Sequence, residues 1–141
     1  MTTGIATLPA IDLDWITRAL RSARYESFTI EGVWVRLTTE VGRASICVSH
    51  RNGLLRFVGT IGDGSQLHPT SVEERYATLR RLQDELEIAR LAWYHEDDRR
   101  FIRAEYDLPL VAGLAQGQFL AVLRTFLSDL AVARRNERTD A

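Results

Sequence analysis

The sequence predicts an α+β fold in which an antiparallel sheet of about five strands lays one apolar face against three helices, in the order α-β-β-β-α-β-β-α. Two observations carry this. The hydrophobic period switches between the helical and the two-residue spacing several times along the chain, and Asn52-Gly53 is its strongest short hairpin signal.

The first helix follows Pro9: Asp12 or Asp14 can cap it, and Ile16, Ala19, Leu20 and Ala23 recur at helical spacing through Arg24. After Tyr25 the period becomes two. Val33, Val35 and Leu37 alternate with Trp34, Arg36 and Thr38, Gly42 marks a turn, and Ala44, Ile46 and Val48 alternate with Ser45, Cys47 and Ser49. Leu55, Phe57 and Ile61 make the next strand, ending in Gly62-Asp63-Gly64, and Phe28-Thr29-Ile30 is a candidate extra strand. Thr70 and Ser71 before Glu73 and Glu74 form a capping-box arrangement for a second helix, with the stripe Val72, Tyr76, Leu79, Leu82 or Gln83, and Leu86, ending near Ile88. Leu91, Trp93 and His95 then alternate with Ala92 and Tyr94, and Ile102, Ala104, Tyr106 and Leu108 with Phe101, Arg103 and Glu105. The polar block from Glu96 to Arg100 joins these two strands as a hairpin. A last helix runs from Gly117 to about Ala133, and its apolar arc from Val122 to Leu120 spans about 160°, wider than a one-sided surface helix needs. Such an arc needs two partners: the sheet with another helix of the same chain, or a second subunit.

Composition bounds the function. The 141 residues read as a single domain with an ordered core over about 10–133 and frayed ends, and 45% apolar with 26% charged residues is a globular mixture, not a disordered one. All 18 basic residues are Arg, read here as a compositional preference, and they scatter from Arg18 to Arg138 against 19 acidic residues, so no nucleic-acid partner is expected. Cys47 stands alone, which excludes an internal disulfide and fits a reducing compartment. Met1 to Ala10 lack the basic and apolar regions of a secretory signal, and the longest apolar stretch, Leu108 to Ala115, is far short of the roughly 20 residues of a membrane span. A cytoplasmic protein is the expectation.

If Val35, Ile46, Phe57 and Ala104 face the helices, then Trp34, Arg36, Cys47, Arg56, Phe101 and Arg103 face away from them. A mixed aromatic and arginine surface is the composition of interface hot spots, so Trp34, Arg36, Arg56, Phe101 and Arg103 are the candidate partner-binding residues. The bland reading is a solvated face on which arginine stems cover aromatic rings.

The second half carries a resemblance. Leu82-Gln83-Asp84-Glu85-Leu86-Glu87-Ile88-Ala89-Arg90-Leu91, the acidic turn at Glu96-Asp97-Asp98, then Arg103-Ala104-Glu105-Tyr106-Asp107-Leu108-Pro109-Leu110 and a closing amphipathic helix resemble the YbjN family. The likeness covers about Asp12 to Leu130. Those proteins are similar to class I type III secretion chaperones, with which they share this element order. The resemblance implies a dimeric, protein-binding module of regulatory or chaperone-like character and brings no catalytic residues with it.

Other chemistry finds little footing. His50, His68 and His95 lie far apart and pair with Cys47 at no ligand spacing, so no metal or other cofactor is expected. His95-Glu96-Asp97-Asp98 reads as a solvated turn. Gly59, Gly62 and Gly64 form a glycine-rich loop that no Gly-Lys-Ser/Thr follows, and no Gly-x-Ser-x-Gly elbow exists. Cys47 reads as an ordinary strand cysteine. The leading expectation is a non-catalytic adaptor that binds a protein partner and forms a homodimer. The alternative is a small-ligand sensor with Trp15, Trp93 and Tyr106 lining a cavity between helices and sheet, and an enzyme ranks third.

Overall fold

Alternation in the sequence becomes register in the structure. The computed structural model describes residues 4–62, 72–96 and 99–139. Along the chain these are β1 (Ile5–Ala6), a short 3-10 turn, α1 (Leu13–Ser22), β2 (Phe28–Glu31), β3 (Trp34–Thr39), β4 (Gly42–Ser49) and β5 (Leu54–Gly62). Then follow α2 (Val72–Gln83), β6 (Arg90–Glu96), β7 (Arg99–Pro109), β8 (Leu114–Ala115) and α3 (Gln116–Thr139). The fold is α+β: a sheet in the order β2-β3-β4-β5-β7-β6, antiparallel throughout, with β1 and β8 forming a separate pair. The main sheet has six strands where five were expected, because Phe28-Thr29-Ile30 does pair, with Leu37, Arg36 and Val35.

One row of that register, Val35–Ile46–Phe57–Tyr106, runs across β3, β4, β5 and β7 on the helix side. Val35, Ile46 and Phe57 are fully buried. Helix α3 crosses β4 and β5, α1 lies over β3, and α2 lies over β6. At Gly59 the methyl groups of Leu130 come within 2.8 Å of where a Cβ would stand, so the missing side chain lets α3 settle onto β5. The wide arc of α3 is used within the chain. Phe119, Leu123, Phe126 and Leu130 are fully buried, with α1 and α2 flanking the helix.

Helix ends show where local rules hold and where distant residues override them. Asp12 caps α1, its Oδ1 accepting from the Trp15 amide at 2.9 Å. The helix closes with the Tyr25 amide donating to Leu20 and the Arg24 amide to Arg21, the double bond of a Schellman turn. Its left-handed position is Arg24, at φ 64, where glycine is the usual residue and a side chain costs about 1 kcal/mol.

Helix α2 ends at Gln83, not near Ile88. Buried Asp129 on α3 accepts the amides of Glu87, Ile88 and Ala89 at 2.9, 2.8 and 2.8 Å, holding that segment in a turn, and the Gln83 side chain accepts from the Leu91 amide. Tyr76, expected in the stripe, is exposed, and Leu79 and Leu82 do the packing. Val33, expected in the strand alternation, sits in the turn after Gly32 and is also exposed.

Helix α3 continues past Ala133 to Thr139. Arg134 accounts for part of this, donating to the carbonyl of Val41 at 2.7 Å and to that of Thr60 at 2.6 and 3.2 Å. Its guanidinium fills the space beside Gly42, at φ 142, where any side chain would collide with it. Gly59 and Gly62, expected in a loop, belong to β5. Gly64, His68, the Thr70/Ser71 cap and the Asp97-Asp98 turn lie outside the described residues.

Candidate protein-binding face

The register that buries Val35, Ile46 and Phe57 turns the intervening residues to the other side of the sheet. There the described side chains are exposed or half-exposed, apart from Cys47. One outer row reads Glu31–Trp34–Cys47–Arg56–Asp107 and the next Thr29–Arg36–Ser45–Val58–Glu105–Arg90. All five expected face residues, Trp34, Arg36, Arg56, Phe101 and Arg103, lie on this side.

Their cations are matched locally. Arg56 binds Asp107 through two parallel hydrogen bonds, 2.8 Å from Nε and 3.1 Å from Nη2. That pairing holds the guanidinium above its ordinary arginine value, chiefly through the hydrogen bond to Asp107. Arg36 pairs with Glu31 and reaches Ser45 Oγ at 3.3 Å. Arg103 Nε lies 2.8 Å from Glu105 Oε1, near enough for ion pairing but off the hydrogen-bonding direction, and its guanidinium carbon stands 4.8 Å above the Tyr94 ring.

Tyr94 ties the end of the face together. Its ring stacks on Phe101 at 5.9 Å between centroids, and its hydroxyl donates to Glu105 at 2.7 Å. That bond, then burial, pushes the phenol above its ordinary value, so it remains a donor at neutral pH. Cys47 stands in the row between Trp34 and Arg56 and is buried there. Burial raises its thiol, Arg56 opposes this and Asp107 adds to it, which favours the protonated thiol over the thiolate.

Residue-type reasoning had found the cations and missed their partners. Glu105 and Asp107 have the same strand parity as Arg103 and so were countable onto this face, but only the pairing of β5 with β7 brings Asp107 to Arg56. Tyr94 was likewise readable from its parity in β6.

The three aromatic residues of the ligand-sensor alternative do not frame a common cavity. Trp15 meets Phe119 edge-on at 5.5 Å, Phe119 stacks on Phe57 at 6.0 Å, and Phe57 lies 6.2 Å from Tyr106, so two fully buried rings fill the space between Trp15 and Tyr106. Trp93 is turned toward α2, where its indole nitrogen donates to the Arg75 carbonyl at 3.3 Å. His50 Nε2 is 3.0 Å from the Ile11 carbonyl, and His95 is exposed. Among the described residues no group of three or more His, Cys, Asp or Glu is placed to hold a metal, and no helix is long and apolar enough to cross a membrane.

No protein-family model and no curated protein sequence matches the chain. Among solved structures, it is similar to the crystal structure of YbjN from E. coli, described as a proposed transcription regulator. The TM-score is 0.74 and the identity 16%, over 96% of this chain and 96% of that one. At that identity the likeness establishes the fold: three helices and an antiparallel sheet in the YbjN-like arrangement.

Proposed function

We propose that this chain is a non-catalytic, cytoplasmic protein-binding module, a regulatory or chaperone-like adaptor that works as a homodimer and holds its partner on the outer face of the six-stranded sheet. The observation that carries this reading is the face itself. It sets half-exposed Trp34, Phe101 and Tyr94 among guanidiniums already oriented by Glu31, Glu105 and Asp107. Rings held in place lose little conformational freedom on binding, and cations with a carboxylate beside them offer planar donors without a large unbalanced charge. Such a surface suits an apolar, hydrogen-bonding polypeptide segment better than a polyanion, so regulation would run through protein contact and not through nucleic acid. The fold shared with YbjN, itself described as a proposed transcription regulator, is compatible with that role.

The test is affinity capture with wild type and with the Trp34→Ala/Phe101→Ala double variant. The helix-side core is untouched, so the variant should keep its thermal midpoint within a few degrees and lose the partner that wild type retains. An unchanged set of captured proteins would remove this face from the function.

A further inference from the structure

The outer sheet face carries more cations than acids. Among its described side chains, Glu31 is taken by Arg36, Asp107 by Arg56, and Glu105 by Arg103 together with the Tyr94 hydroxyl. Arg43 and Arg90 lie on the same face and are exposed, and among the described residues neither side chain makes an ion pair or a hydrogen bond. Their surroundings differ. Arg90 shares a recess with Glu87, Glu105 and Asp107, carboxylates that offset it without touching it. Arg43 stands opposite Thr38 and two residues from Ser45 on β4, both neutral, while Glu40, the acid nearest to it in sequence, lines a groove on the α3 side of the sheet.

Around Arg43 the face offers donors without an acceptor to use them. Arg36, with its Nε on Glu31, donates from Nη1 to Ser45 Oγ at 3.3 Å, and among the described residues the Ser45 hydroxyl proton has no acceptor of its own. Arg36 and Ser45 are paired across β3 and β4 and Arg43 is next on the same side of β4, so a hydroxyl and two guanidiniums share one patch with a single carboxylate, Glu31, beyond Arg36. What matches such a patch is a second carboxylate, which takes parallel N–H bonds from a guanidinium. Half-exposed Trp34 stands two residues from Arg36 on the same face, about 7 Å along β3. A free carboxylate gains little on so open a surface, because solvent screens its pairing, whereas one carried by a polypeptide that also covers Trp34 gains apolar burial as well. A phosphodiester chain, charged along its whole length, would meet Glu31 on one side and Glu105 and Asp107 on the other. We propose that the outer face recognises an acidic polypeptide segment: an Asp or Glu side chain of the partner docks on Arg43, Ser45 and Arg36, and a large apolar residue two positions away lies on Trp34. That spacing is the one that turns two side chains of an extended segment to the same side. The inference rests on the reading of this face as the partner surface and adds the chemistry of what it holds.

Selection from a display library of random short peptides, with the full chain as bait, tests this. Wild type should enrich peptides in which Asp or Glu stands two positions from a large apolar residue. Arg43→Glu should lose that preference and select Arg or Lys at the acidic position instead. In fluorescence anisotropy an enriched peptide should bind Arg43→Gln about fivefold or more weakly, and its own Asp→Asn or Glu→Gln version should bind wild type weakly to the same degree. The two changes together should cost little more than either alone, since both remove one contact. Arg43 is exposed and unpaired, so its variants should keep the wild-type thermal midpoint. Peptides enriched without an acid, a peptide carboxylate whose loss is felt equally by wild type and Arg43→Gln, or a single-stranded oligonucleotide that binds through Arg43 more tightly than the enriched peptide would each overturn the proposal. The Trp34→Ala/Phe101→Ala variant separates this failure from failure of the face itself. Enriched peptides that it binds as well as wild type does would remove the outer face as the partner surface, and the carboxylate site with it. Peptides that it loses, but that show no acidic preference, would leave the face in place and remove the carboxylate site alone.

Discussion

The inner and outer faces of the six-stranded sheet alternate residue by residue along the same strands, yet different forces hold them. On the inner face Phe57 packs its ring among those of Phe119, Phe126 and Tyr106, and its contribution comes from apolar area removed from water. Directly beside it in sequence, Arg56 reaches Asp107 with both partners more than a third exposed, so solvent screens most of what that pair offers to stability. Neighbouring residues on one strand thus serve different ends: one face makes the chain fold, and the other sets what it presents.

Removing the largest fully buried side chain of the inner face should separate the two faces most sharply. Phe57→Ala leaves a cavity beneath α3 that its aromatic neighbours cannot fill, and should cost about 4 kcal/mol in a urea titration. A loss below about 1 kcal/mol would mean that the inner face is looser than its burial indicates. Arg56→Ala, on the outer face, should cost about 0.5 kcal/mol in the same titration.

Asp129 comes next, because it is polar yet belongs to the inner side. Asp129→Ala would strand three amides, those of Glu87, Ile88 and Ala89, inside the fold, at about 3 kcal/mol. Hydrogen exchange gives the sharper reading: these three amides should lose protection before the strands do. If they exchange no faster than in wild type, another group holds the turn.

Asp129 also marks the limit of what the sequence could reveal. Strand alternation is local, so the parity of Val35 or Arg56 was readable and both faces followed from it. The end of α2 was not readable, because the carboxylate that fixes it lies 40 to 42 residues away from the amides it holds. The same holds for Arg134, which ties α3 to carbonyls 74 and 93 residues distant, and for β1, whose pairing partner is β8. On the outer face, composition drew attention to arginines and aromatic rings. Of the acids beside them, Asp107 met Arg56 only once β5 lay beside β7, and Glu105 met Tyr94 only once β6 lay beside β7.

A second small effect on the outer face probes whether that face is ordered by its own contacts. Tyr94→Phe keeps the ring on Phe101 and removes only the hydroxyl that donates to Glu105, which at this half-exposed site should cost about 0.5–1 kcal/mol at pH 7. The sign of its pH dependence follows from the phenol. The folded state raises its pKa, chiefly through the bond to Glu105, so the folded form favours the proton. The stabilisation is therefore complete below the unfolded phenol value of about 10 and is lost as pH rises through the folded value. Urea titrations of wild type and Tyr94→Phe should differ at pH 7 and converge as the pH passes 10. A gap that persists at high pH would show that the hydroxyl acts through packing, and the Tyr94–Glu105 bond would then not be what holds Arg103 and Phe101 in place.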